Sequence, residues 1–127
     1  MRTSLWIALL LLAVMIGGGI VSGTVVKTQS DRYISAAMEV DALLESGQWA
    51  RAQEIASAYL QTWEDTVPWL QMIIDHEDID AVSLALEHLI ASLRQQEKAF
   101  SLMICAELRE HAHHLYHRDA LTLSNVL

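Results

Sequence analysis

Six histidines, His76, His88, His111, His113, His114 and His117, are the side chains of this 127-residue sequence with the widest choice of chemistry. Neutral imidazole binds divalent metals, and the ring titrates close to physiological pH. His113 and His117 stand four apart, on one face of a helix, and so do Glu110 and His114. That spacing suits two ligands of a shared ion. Two ligands are half a site, however, and the H-E-x-x-H pattern is absent. A polar helix end, where imidazole favours the negative pole of the helix dipole, accounts for the same residues. No metal and no cofactor is therefore expected, with His113 and His117 standing as the candidate ligands of an alternative, a histidine-based metal or pH sensor.

His76 lies in the junction Asp75-His76-Glu77-Asp78-Ile79-Asp80, a few residues after Trp69. With a cleft and a carboxylate partner it would serve as a proton acceptor. The simpler reading is a half-buried imidazole that bonds a neighbouring helix end and fixes the loop. Asp78 and Asp80 fall short of a calcium loop, since no glycine follows and the twelve-residue pattern is missing. Cys105 sits among Leu102, Met103, Ile104 and Ala106 with Glu107 as the nearest charge, the setting of a buried inert thiol. Trp49, Trp63 and Trp69 read as core residues. With no G-x-S-x-G and no glycine-rich phosphate loop, the expectation is a protein without catalysis.

The elements that hold these groups are helical. Gly47 is the only glycine after residue 23 and Pro68 the only proline, and strong helix formers dominate. A first helix is expected from Ser30 or Asp31, either of which can cap it, through Tyr33, Ala37, Val40 and Leu44 to Ser46-Gly47. Trp49 opens a second, with Ala52, Ile55, Ala56, Tyr59, Leu60 and Trp63 on one face. Pro68 marks a kink or a restart before Trp69, Met72 and Ile73. The acidic run at 75–78 caps a third helix, with Ile79, Val82, Leu86, Leu89, Ile90 and Leu93 inward. After the polar turn Arg94-Gln95-Gln96, a fourth carries Phe100, Met103, Ile104, Leu108 and Leu115 and ends near Arg118-Asp119, leaving an apolar tail to dock on the bundle. The segment LLESGQWARAQEIA is like the turn of a tetratricopeptide unit, but no second copy follows at 34 residues.

Ahead of these helices, Leu5–Val26 is a run of 22 residues without a formal charge, long enough as a helix for the roughly 30 Å hydrocarbon core of a bilayer. A cleaved signal peptide, with an apolar core from Leu5 to Ile16 and small residues at Val21-Ser22-Gly23, is the rival. The apolar run continues through Ile20, Val21, Val25 and Val26, which favours a retained anchor. The chain thus divides into an anchor over 1–27 and a helical domain over 28–127. The domain after residue 26 holds all 16 acidic residues and 7 of the 8 basic ones, a net charge of −9. Such a domain is no nucleic-acid binder, and anionic headgroups repel it, so it is expected to stand off the membrane. The signal-like start and the lack of a basic cluster after the span favour an extracytoplasmic C-terminal domain. One cysteine leaves no internal disulfide.

The span, Trp63 and Trp69 ahead of IIDHEDID, the helix pair that follows and the ending LTLSNVL together resemble the DUF4363 family of small bacterial membrane-anchored proteins. The resemblance runs from about Val40 onward, and His114-Leu115 fits the family's histidine–hydrophobic step. Its motif singles out Trp63, His76, Glu77, Asp80 and Asn125, together with Trp69; Pro68 departs from it by interrupting the stretch between the tryptophans. The resemblance implies anchoring in the cell membrane and a membrane-protein partner of the YetF-like kind, with no activity assigned. The expectation is an all-α protein: an N-terminal transmembrane helix, then a small antiparallel bundle of about four helices. It would be single-pass, held by residues 5–26, and would act as an accessory or interaction module, self-association remaining open.

Overall fold

The computed structural model describes residues 1–126, with side chains through residue 116. Four helices follow one another: α1 (Arg2–Glu45), α2 (Trp49–Leu70), α3 (His76–Arg94) and α4 (Lys98–Val126). No strand occurs among the described residues. Each helix packs on two neighbours, α1 on α2 and α4, α3 on α2 and α4, and among the described residues the backbones of the diagonal pairs do not come together. The result is an up-and-down, all-α bundle with its core along the central axis.

The inward stripes follow the spacing of three and four that places residues on one helix face. They comprise Tyr33, Ala37, Val40 and Leu44 of α1, and Ala52, Ala56, Trp63 and Leu70 of α2. Ile79, Val82, Leu86, Leu89, Ile90 and Leu93 of α3 face them, with Ile104, Cys105, Leu108, Ala112 and Leu115 of α4.

Both tight turns stop their helices by the same device. After α1, the Gly47 N–H donates to the Leu44 carbonyl and the Gln48 N–H to that of Leu43; after α3, the Gln96 N–H donates to Leu93 and the Glu97 N–H to Ser92. These are paired Schellman caps, which need a left-handed residue at their centre. Gly47 (φ 72°) supplies it without strain, whereas Gln96 adopts φ 55° with a side chain. Gln96→Gly is therefore expected to stabilise the bundle by about 1 kcal/mol. A thermal midpoint that stays put or falls would count against this account.

Several details differ from the sequence expectation. No helix starts at Ser30 or Asp31: α1 runs unbroken for 44 residues, and Ser30 is buried inside it. Nothing between the span and the bundle interrupts the backbone ladder, and the Thr24 and Thr28 hydroxyls donate back to the carbonyls of Ile20 and Thr24 (3.0 and 2.9 Å). Pro68 does not restart a helix. It sits in the last turn of α2, which ends two residues later at Leu70. The last helix does not stop near Arg118-Asp119 but continues to Val126, since Ala120–Val126 contains neither proline nor glycine. Phe100 and Met103 are 45% and 49% exposed instead of inward. The α4 stripe is set by Ser101, whose Oγ–H donates to Ser92 Oγ (2.9 Å) while the Ser92 hydroxyl donates to the Leu89 carbonyl (2.8 Å). With Ser101, Ile104 and Leu108 inward, the residues one position earlier turn out by about 100°.

Candidate functional site

The tryptophans that open the family motif part company. Trp63 is wholly buried, and Tyr33 meets it edge-on with ring centroids 4.9 Å apart. Its Nε1–H donates to Ser83 Oγ (2.8 Å), and the Ser83 hydroxyl donates to the Ile79 carbonyl (3.1 Å), so one indole ties α1, α2 and α3 together. Tyr59 joins the cluster at 6.0 Å from Tyr33 and donates to Glu39 Oε2 (3.1 Å). Burial is the main reason the Tyr33 phenol is pushed up to about 12, with Arg32 opposing it. Trp49 is half-buried. Trp69 is not a core residue at all: it is 70% exposed, because the core stripe of α2 passes from Trp63 to Leu70 and leaves Trp69 one position off it.

His76, Glu77 and Asp80 lie in the first turns of α3, all exposed. The half-buried, loop-fixing role expected for His76 does not hold, since the α2–α3 turn is plugged by Leu70 and Ile74 instead. Asp75 stands at the N-cap without a side-chain capping bond, and Glu77 and Asp78 place negative charge in the first turn, where it complements the helix dipole. Asn125 and His117 lie outside the described side chains. His113 is exposed, its ring 6.4 Å from that of His114.

The arrangement that sequence spacing on a single helix overlooks is between helices. Glu77 and Asp78 of α3 and His111 and His114 of α4 line one groove of about 220 Å³. Pairing across the turn brings them level, Asp78 and His114 each lying 18 residues from Gln96. His114 Nε2 also approaches Glu110 Oε1 at 3.2 Å, the pair read from the i,i+4 spacing. Among the described residues, no three His, Cys, Asp or Glu side chains are grouped to hold a metal ion. Two more grooves flank α3. One of about 310 Å³ lies against α2, with Leu60, Glu64, Glu87 and Arg94 in its walls. The other, about 170 Å³, is at the α3–α4 turn, beside His88, Gln95 and Phe100.

Cys105 is buried between α1 and α4, where the void beside it is only about 10 Å³. Burial, and secondarily Asp41, push its thiol up to about 12 against the influence of Arg109. It stays protonated at neutral pH, the form that is neither nucleophile nor metal ligand.

The model of the domain of unknown function DUF4363 matches residues 20–126, so the chain belongs to that family. The match takes in the whole bundle and begins inside the apolar part of α1, some way before Val40. No curated protein and no solved structure matches the chain.

Proposed function

We propose that this protein is a single-pass membrane protein whose helical domain, outside the cytoplasm, serves as a non-catalytic accessory module for a membrane-protein partner. The anchoring part rests on α1, whose N-terminal portion is apolar, long enough to cross a bilayer and buried against nothing in the bundle. The observation that carries the interaction part is the exposure of Phe100 and Met103 beside the groove at the α3–α4 turn. Both lie at the end of the bundle remote from the span, where bilayer contact does not account for them. Aromatic and methionine side chains are enriched at protein interfaces relative to the rest of the surface.

The test is affinity capture of the C-terminally tagged, full-length protein from detergent-solubilised native membranes, beside a Phe100→Ala/Met103→Ser variant. A membrane protein recovered in stoichiometric amount with the parent and lost by about ten-fold or more from the variant, equivalent to one hot-spot side chain, is the expected result. Equal recovery from both would remove this surface from the proposal. A solitary parent protein would remove the partner.

A further inference from the structure

We infer that Trp69 and Met72, at the α2–α3 turn, seat in the headgroup layer of the same bilayer that α1 crosses, giving the bundle a second, end-on membrane contact. This rests on the membrane-anchor reading of α1 and adds to it an orientation for the domain.

The first observation is exposure. Trp69 and Met72 are 70% and 77% exposed, the most open large apolar side chains among the described residues after the span. The second is level. Trp63 meets Tyr33 edge-on, and α2 runs antiparallel to α1. Six residues further along α2, about 9 Å, Trp69 therefore comes level with Lys27, the first charged residue after the span. The third is the match to bilayer thickness. Trp6, also exposed, lies 21 residues before Lys27 on the same unbroken helix, about 30 Å away, which is the depth of the hydrocarbon core. Trp6 and Trp69 then mark the two faces of one membrane, the positions that tryptophan favours because its ring is apolar and its N–H wants a wet partner.

Charge is compatible with this seat. The stretch from Thr66 to Ile74 carries no formal charge, and the acidic residues resume at Asp75. The contact therefore suits a zwitterionic surface, and the acidic first turn of α3 keeps the rest of the domain from lying flat on anionic lipid. An end-on seat differs from a domain that only hangs from its anchor, because two contacts fix its tilt.

The experiment uses the full-length chain with Cys105→Ala, reconstituted into phosphatidylcholine vesicles with lipid-borne spin labels at shallow or deep acyl positions. Single cysteines at Met72, Met103 or Leu12 carry an environment-sensitive fluorophore. The expected result is emission from position 72 reduced by about half by the shallow label and less by the deep one, as for an interfacial group. Position 12 should be quenched most by the deep label and position 103 by neither. Quenching at 12 without quenching at 72 would overturn the inference and leave the anchor reading intact. No quenching at 12 would overturn the anchor reading and the inference with it. A probe at 72 that lipid does not quench but aqueous iodide cannot reach would mean that protein covers the turn, which also overturns it.

Discussion

Trp63→Ala is expected to cost the bundle about 4 kcal/mol, the range for deleting a fully buried tryptophan, and to lower its thermal midpoint by roughly 15–25 °C. The side chain has no exposed surface, meets Tyr33 edge-on and donates its N–H to Ser83. Three helices would therefore line the cavity left behind, and Ser83 would lose a partner in a half-buried setting. Cys105 provides the readout, because its buried thiol becomes reactive only when α4 leaves α1. Trp63→Phe retains most of the volume and is expected to cost about 1–2 kcal/mol, chiefly the lost hydrogen bond. Trp69→Ala, at an exposed position, should stay within about 0.5 kcal/mol of the parent. If Trp63→Ala and Trp69→Ala labelled Cys105 at the same rate on heating, the division between the two tryptophans would be wrong.

That division also marks how far residue spacing carries. The helix-forming composition, Gly47, and the regular stripe from Ile79 to Leu93 made four helices and two of the three turns legible. Periodicity identifies a face but weighs apolar residues alike, so it assigned Phe100 and Met103 to the core when a serine pair, Ser92 and Ser101, sets the phase of α4. It also treated Ser30 as a cap because serine suits one, although a helix already under way has no free N–H groups there to satisfy. The second Schellman cap was hidden for the opposite reason, since glutamine is an unusual residue at positive φ. The gathering of Glu77, Asp78, His111 and His114 depended on which helices are neighbours, something a motif read along one helix does not contain. The family motif, too, mixes roles: Trp63 holds three helices together, while His76, Glu77 and Asp80 face solvent.

The span admits a test of comparable size, because its side chains and the core overlap only at its last residue, Val26. Leu12 and Ile16 are both exposed, and the first buried residue of α1 is Val26. An arginine near the centre of a transmembrane helix costs about 2.5–3.5 kcal/mol on insertion scales. Leu12→Arg/Ile16→Arg should therefore oppose insertion by roughly 5–7 kcal/mol while removing no contact from the bundle. The expected outcome is a protein that moves from the alkali-resistant membrane pellet to the soluble fraction and still protects Cys105 from labelling. Loss of that protection would mean that the span contributes to folding. Unchanged fractionation would mean that Leu5–Val26 is not what holds the protein to the membrane. The mass of the parent protein separates anchor from signal peptide, since cleavage after Gly23 would spare every buried residue among those described and leave the bundle folded but free. A parent that retains its apolar segment, partitions with membranes and loses that partition to two arginines is the combination that an anchor alone produces.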